Sequence, residues 1–557
     1  MRCLRLGGAA LFILLAAFFV TSTISYAKTP FAEGGVVRQK CSVCHRLDQQ
    51  GRVEVIEETR KTPEEWYSVV ARMRRINGAP IEDAEVKAVV KELSEHLILT
   101  PAEMAKCFYY TTDENSHFRE RSSLMKTDLD KRIFQTCVRC HAYGKIISHR
   151  KTEEQWVENM NMHLGYYPTV VPQMREMDWP KEAMELAKVL AQEFPMESPE
   201  VKAWYDARKP QDLSGKWIVA GYQPGAGYYE GTYTFKANPK AGKDEYLIER
   251  QVQYENGMTL KQVGEGTLYG TYHLRYVLQP TPFSGMVEGV FNLDAAAKGF
   301  TGRWWAVVQD ANAFGNEAFY KSDAPARVFA VFPRSVKAGG ASQTVKMIGV
   351  NLPGAAEVTF GDANVKAKVR SATPNKLTVE VTAAAGAAIG STAVQVKGAA
   401  CNESVVVYNK LDGIKVLPEL GRAYMYGGAA YPPQGVQFVA RGVSFGKDGQ
   451  PDTEDDLLLE PVNATWSLEQ DNVWAKDNPD RSAMAAEDLK CLMAPITNGL
   501  YTPPPEKVNM APNEWRVQRR EGVGLILVVA TYKEGGQEFT GKAFLGVSPP
   551  DYVTHIK

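Results

Sequence analysis

Two pentapeptides carry most of the chemistry in this chain: Cys41-Ser42-Val43-Cys44-His45 and Cys137-Val138-Arg139-Cys140-His141. In each, two thiols three positions apart are followed at once by an imidazole. That spacing suits covalent attachment of a porphyrin. The thiols add to its two vinyl groups, and the histidine ring takes the iron from the proximal side. A zinc site would want a second ligand pair at fixed spacing for each motif, and the sequence offers none. The reading is two covalently bound c-type haems, tethered at Cys41, Cys44, Cys137 and Cys140, with His45 and His141 as proximal iron ligands.

Downstream of each motif lies a related segment. Lys61-Thr62-Pro63-Glu64-Glu65-Trp66 matches Lys151-Thr152-Glu153-Glu154-Gln155-Trp156 at an offset of 90 residues. Both read as helix starts, with Thr62 and Thr152 as caps and Glu65 and Gln155 completing capping boxes. Pro63 suits the first helical position. Seven residues beyond each tryptophan, two turns along the same face, stand Met73 and His163. They are the expected sixth ligands, Met73 on the first iron and His163 on the second. Met160, Met162, Met174, Met177 and His149 compete for the second iron. His149 follows His141 too closely to wrap a haem, and His96 and His117 belong to no repeat. A thioether raises the potential relative to a second imidazole, so electrons are expected to run from the haem of His141 to that of His45. Arg72, Arg74 and Arg75 flank Met73 and could dock an acidic partner, pair with haem propionates or face water.

These residues need elements to position them. Before residue 210 the pattern is helical: Glu64 to Arg75, Glu82 to Leu99, Glu153 to His163 and Lys181 to Glu193 mix charged and apolar residues at helical spacing. After it, short alternating strands take over, as in Tyr229 to Phe235, Tyr246 to Tyr254, Leu377 to Val381 and Leu525 to Tyr532. The expected fold is multidomain: an α-helical diheme cytochrome c region followed by all-β domains, an antiparallel barrel and immunoglobulin-like sandwiches. The expected limits are 28–105 and 106–209 for two cytochrome c modules, 210–325 for the barrel, 326–415 for an immunoglobulin-like domain and 416–557 for a C-terminal β-sandwich.

Residues 1–27 read as a cleaved signal peptide, with a basic start, an apolar run from Leu11 to Val20 and a small-x-small end at Ser25-Tyr26-Ala27. The run is short for a membrane span, and no second long apolar segment follows. The expectation is therefore an exported, periplasmic protein without a membrane span. A net charge of −1 gives no pull toward nucleic acid. Cys107, Cys401 and Cys491 are scattered and odd in number, so they cannot all pair within the chain.

Over its whole length the chain resembles the α subunit of quinohaemoprotein amine dehydrogenase. The likeness is carried by KTPEEWYSVVARM, by LSGKWIVAGYQPGAGYYEGTYTF from Leu213 to Phe235, by FLGVSPPDYV near the C-terminus, and by the two haem modules ahead of three β domains. The resemblance implies an αβγ heterotrimer. Its β subunit is a seven-bladed propeller, and its small γ subunit carries cysteine tryptophylquinone and the catalytic acid. Primary amines are oxidised there, and electrons pass through the α-subunit haems to a soluble blue-copper protein or cytochrome c. This chain would then hold no catalytic residue of its own. GAGYYEG, Gly225 to Gly231, lies among strands and opens no helix, so it is no dinucleotide fingerprint.

Two other readings compete, a diheme peroxidase and a stand-alone diheme electron carrier. Asp448, Asp452, Glu454, Asp455 and Asp456 form an acidic loop that could take calcium or could be a solvated hairpin. Asn402 and Asn463 match the glycosylation pattern and are discounted.

Overall fold

The computed structural model describes residues 31–107, 127–138, 143–166, 170–281, 285–294, 298–306, 313–424, 435–472, 479–504 and 524–548. The stretch 1–27 that reads as a signal peptide, together with Cys140, His141 and His117, lies outside the described residues.

The helical part runs from Val36–Cys41 through Pro63–Asn77, Asp83–His96 and Pro101–Cys107 to Asp128–Thr136, Tyr143–Ile147, Glu153–Tyr166, Val170–Gln173, Trp179–Glu193 and Pro199–Ala207. The longer helices start where capping chemistry directs. Thr62 Oγ1 accepts the Glu65 N–H, and Pro63 occupies the first turn. Ser198 and Asp178 do the same for the Val201 and Lys181 N–H groups. Pro63–Asn77 stops at Gly78, whose φ of 66° is open to glycine at little cost.

Two cores fill this part. Trp66, Val70, Val89, Val90 and Leu93 anchor one. Trp156, Trp179, Leu186 and Leu190 anchor the other. A two-stranded ribbon joins the halves: β1, Thr59–Arg60, pairs antiparallel with β2, Arg150–Lys151.

Eight strands then close an antiparallel barrel: β3 Gly215–Gln223, β4 Gly227–Ala237, β5 Glu245–Tyr254, β6 Thr259–Tyr269, β7 His273–Thr281, β8 Gly285–Leu293, β9 Gly299–Ala306 and β10 Phe314–Lys321. Closure comes from β10, which pairs with both β9 and β3. Buried and exposed residues alternate along β5 from Ile248 to Tyr254, as a half-buried strand requires. The interior is aromatic, with Trp217, Tyr229, Tyr233, Phe235, Phe291, Phe300 and Phe319 packed together. Gly231 sits where a Cβ would lie 2.0 Å from the Gln251 carbonyl oxygen, so the close crossing of β4 and β5 needs glycine.

Beyond the barrel, a five-stranded sheet and a four-stranded sheet share the Val345, Val379, Val394 and Val405 core. The C-terminal part is built from three sheets of three, four and three strands, with the Pro479–Leu492 helix laid against Gly524–Glu534.

The expected fold class is corrected by this architecture. The chain is mostly β, with 43% of residues in strands against 24% in helices, so an α-helical diheme region does not define it. The N-terminal helices are not an independent all-α unit, because a buried β ribbon ties their halves together. Nor is the C-terminal part an immunoglobulin-like sandwich of two sheets, since a helix and a third sheet share its core. The physical reason is that local periodicity reports each helix singly. Two-residue strands and a helix lodged among strands leave no period to read.

The barrel is docked on the helical part by charge and by backbone acceptors. Arg275 Nε donates to Glu64 at 2.9 Å, Lys87 reaches Glu245 at 2.6 Å, and His273 Nε2 meets the Leu99 carbonyl at 3.1 Å.

Candidate haem-binding site

The first thiol pair is placed by a short helix and the turn that ends it. Val36–Cys41 finishes at Cys41, and the Cys44 and His45 N–H groups both fold back onto the Cys41 carbonyl, at 3.1 and 2.9 Å. One hydrogen-bonded turn therefore carries Cys41, Cys44 and His45. Cys41 and His45 are half-buried, Cys44 is exposed, and neither thiol is in a disulfide. Burial, Glu92 and Cys44 together push the Cys41 thiol up to about 11, so it stays protonated at neutral pH. Glu92 is fixed there because its Oε2 accepts the Val37 N–H at 2.9 Å.

Met73 lies in the last turn of Pro63–Asn77 and is half-buried. The Asn77 side-chain amide donates to its sulfur at 3.6 Å. No hydrogen bond joins Met73 to His45 among the described residues. Large apolar side chains stand exposed in this stretch: Val43, Leu47, Val55, Tyr67 and Ile76. Two thiols, an imidazole, a thioether and an uncovered apolar surface are what a tethered porphyrin would engage, so the residues fit the group.

In the second half, Cys137 caps the Asp128–Thr136 helix and is half-buried. Cys140 and His141 lie outside the described residues, so that turn is described only at its first thiol. His163 sits on Glu153–Tyr166, with Nδ1 at 2.7 Å from the Asn159 carbonyl oxygen and its ring 5.9 Å from that of Trp179. The Trp179 N–H in turn donates to the Thr136 carbonyl, next to Cys137, at 2.9 Å. Burial holds the His163 ring below its ordinary pKa, against the pull of the Asn159 bond and with the help of Lys151, Arg72 and Lys145. The ring is thus neutral at pH 7, the form that can donate a lone pair to a metal.

The competitors are disposed differently. Met160 and Met174 are buried core residues. His149 is half-buried with Nε2 at 3.0 Å from Glu65, and desolvation first, then Lys61, pushes it down to about 3 despite that carboxylate. His96 stacks edge-on against Phe31.

The repeat itself has a geometry that sequence spacing did not reveal. Arg60 and Arg150, equivalent positions at the 90-residue offset, are register partners in the ribbon. Both bind Glu103. Arg60 reaches it twice at 2.7 Å and Arg150 through Nε at 2.9 Å. Burial raises the Glu103 carboxyl, but the Arg60 hydrogen bonds and the two guanidinium charges outweigh it and hold Glu103 down at about 2. Its one sequence signal is the Thr100-x-x-Glu103 capping box, which forms in full.

The capping boxes expected at Glu65 and Gln155 do not form. Thr62 and Thr152 cap as expected, at 3.4 and 3.2 Å. Glu65, however, turns to His149 and to Lys145 at 3.9 Å, and Gln155 donates to Glu58 at 2.7 Å, each crossing to the other repeat.

Elsewhere, Cys107, Cys401 and Cys491 are in no disulfide, and burial pushes the Cys107 thiol up to about 12. The acidic loop folds onto its own backbone: Asp455 accepts the Lys447 N–H at 2.6 Å and the Thr453 hydroxyl at 2.9 Å. Among the described residues no cluster of three or more His, Cys, Asp or Glu could hold a metal ion. No helix among them is long and apolar enough to cross a membrane.

Four family models match the chain. Residues 32–201 match quinohemoprotein amine dehydrogenase A, alpha subunit, haem binding. Residues 210–319, 325–409 and 414–556 match domains II, III and IV of the same alpha subunit. No curated protein matches. Among solved structures, a de novo designed fluorescence-activating β barrel is 16% identical, with 20% of this chain and 93% of that one covered and a TM-score of 0.17. A redesigned barrel bound to DFHBI is 17% identical over 20% and 94%, with a TM-score of 0.17. Drosophila N-cadherin EC1-3 is 9% identical over 46% and 78%, with a TM-score of 0.22.

Proposed function

The chain belongs to the family of quinohemoprotein amine dehydrogenase alpha subunits, and from that premise we propose that it is the diheme electron-transfer subunit of such an enzyme, working in the periplasm after its signal peptide is removed. The observation that carries the reading is the hydrogen-bonded turn holding Cys41, Cys44 and His45 within a haem-binding match that spans both CxxCH motifs.

Haem, when bound, supplies one-electron chemistry. The chain's own residues hold and tune it. Cys41, Cys44, Cys137 and Cys140 would tether two haem c groups, with His45 and His141 as the first residues to hold the irons. Met73 and His163 would hold them from their own helices. The Asn77 amide donates to the Met73 sulfur, and the Asn159 carbonyl lies against Nδ1 of His163, so Nε2 is the nitrogen that would hold iron. A thioether on the first haem and an imidazole on the second would favour transfer from the second half of the repeat toward the first.

The substrate chemistry belongs to partners. A small γ subunit bearing cysteine tryptophylquinone oxidises primary amines, a β propeller subunit completes the heterotrimer, and a soluble blue-copper protein or cytochrome c accepts the electrons. We also propose domain limits at 28–105, 106–209, 210–325, 326–415 and 416–557. The family models, matching at 32–201, 210–319, 325–409 and 414–556, support the divisions near 210, 325 and 415.

Native purification followed by intact-mass measurement tests the whole reading. The expected result is two porphyrins on this chain and two smaller subunits co-eluting, one of them positive for quinone staining. A chain carrying no porphyrin would refute it. A lone monomer with two porphyrins would leave the stand-alone carrier in its place.

A further inference from the structure

The ribbon that joins the repeats is balanced in charge around its arginines and unbalanced around its lysines. Successive residues of an extended strand point to opposite sides. Arg60 and Arg150 share Glu103. The next residues, Lys61 and Lys151, are only 5% and 8% exposed, and neither forms an ion pair among the described residues. Burial first, then Lys151, pushes the Lys61 ammonium well down, with Lys145 and Arg72 adding to the push and Glu65 alone opposing it. Lys151 is pushed to about 8, by burial and by Arg72. The carboxylate that Lys61 and Lys151 share, Glu65, is already engaged by His149 and Lys145. Cations taken out of water without a counter-charge cost several kcal/mol each, so these two lysines are held charged only where an anion joins them.

A second observation comes from the same corner. Trp156 is 2% exposed and its indole N–H has no acceptor, whereas Trp66, its equivalent in the first repeat, donates to the Leu97 carbonyl at 2.9 Å. The Lys151 ammonium lies 5.7 Å from the Trp156 ring centre. The cationic field of Lys151, Arg72 and Lys145 also reaches His163, while Arg72 is the chain neighbour of Met73. A group engaging Lys61, Lys151 and the Trp156 N–H together would accept hydrogen bonds and carry negative charge. A haem brings two carboxylates of this kind.

We propose that Lys61, Lys151 and the Trp156 indole N–H form one buried anion seat, shared by the two repeats, that holds haem propionate carboxylates. This rests on the reading that both CxxCH motifs carry covalent haem. The seat neutralises charge that would otherwise favour ferric iron, so it holds the potentials up.

The test uses the intact complex with Lys61→Met, Lys151→Met and Trp156→Phe, each with haem propionates labelled in 13C. Redox-difference infrared spectra report the labelled carboxylates, and spectroelectrochemistry reports the potentials. The expected result is two porphyrins by mass in every variant, shifted labelled-carboxylate bands in all three, and a lower potential for at least one haem in both lysine variants. Lys151→Arg should restore the bands. Two porphyrins with unmoved bands and potentials would overturn the proposal while leaving the haem reading intact. So would wild-type potentials that track added inorganic phosphate while the labelled bands ignore the substitutions, since the seat would then take a free anion. A wild-type chain with no porphyrin would defeat the haem reading itself and this proposal with it. Trp156→Phe removes only the donor, so it tests the seat even where a lysine variant fails to fold.

Discussion

Arg60 and Arg150 stand opposite each other in the β1–β2 ribbon and bind the same carboxylate, Glu103. A residue whose register partner is its own repeat equivalent lies beside a local twofold axis. The two halves of the helical part are therefore related by rotation about the ribbon, and Glu103 occupies the place where that symmetry must break, because one side chain serves both arginines. The symmetry breaks again at Glu65 and Gln155, and at Met73 and His163, which are equivalent positions with different chemistry.

Glu103→Gln should be among the most damaging substitutions in the helical part. It leaves two guanidiniums, on side chains 1% and 3% exposed, with no anion between them. Breaking a buried ion pair from one side costs about 3–5 kcal/mol. Chemical denaturation followed by tryptophan fluorescence should show that loss. A change below about 1 kcal/mol would mean that water reaches the arginines and the ribbon is not the joint described.

The same carboxylate sets an acid limit. Its folded pKa of about 2 lies below the ordinary glutamate value of 4.5, so the stabilisation is fully present above pH 4.5 and is lost as pH falls toward 2. The difference corresponds to about 3 kcal/mol. Stability measured from pH 5 to pH 2 should fall more steeply in the parent chain than in Glu103→Gln, and parallel curves would remove Glu103 as the titrating group.

Met73→Ala tests the first distal ligand. The oxidised parent should show a sulfur-to-iron charge-transfer band that the variant lacks, and the potential of that haem should fall. An unchanged band would pass the role to another residue. His163→Ala should turn the other haem high-spin while leaving the sulfur band intact, which separates the two sites.

Much of this was legible in the sequence, and the parts that were not share a cause. The helix holding Met73 follows from Thr62, Pro63 and the apolar spacing, and it runs Pro63–Asn77 where the pattern suggested Glu64 to Arg75. Tyr246 to Tyr254 showed its alternation and lies within β5. The partners of Glu65 and Gln155 were not legible, because a capping residue and a cross-repeat contact look identical from one segment. Glu103 carried only its capping signal, and nothing local says that two distant arginines will converge on it. The Pro479–Leu492 helix was missed because its surroundings read as strands. The fold class failed for that reason too: sheet content accumulates through pairings between distant segments, which no window contains.

Gly78→Ala should cost about 1 kcal/mol, the difference between alanine and glycine in left-handed backbone. Gly78 has φ of 66°, and nothing lies within 4 Å of an added Cβ, so the penalty is conformational and not steric. The Ala79 N–H bonds the Met73 carbonyl at 3.0 Å just past this point. Thermal unfolding should report the loss. A loss above about 3 kcal/mol would show that the turn also supports a packing contact absent from this structure.

The barrel holds an ion pair where an apolar interior is usual. Glu317 accepts from Tyr229 at 2.8 Å, from Arg250 at 2.9 Å and from Tyr233, and Arg250 Nη1 donates to Gln262 at 2.6 Å. Both charged side chains are essentially inaccessible, at 1% and 0% exposure. Glu317→Ala strands Arg250 among Tyr229, Tyr233 and Trp304, whose rings lie 5.1 to 5.8 Å from its guanidinium. Aromatic faces return about 2 kcal/mol to a desolvated cation, less than the loss of its carboxylate takes away. The chain should lose about 3 kcal/mol or more. Glu317→Ala combined with Arg250→Met should recover part of it, because the double change removes the unpaired charge. Circular dichroism in denaturant measures both, and a double variant no better than the single one would show that the network's hydrogen bonds, and not its charge balance, hold the barrel closed.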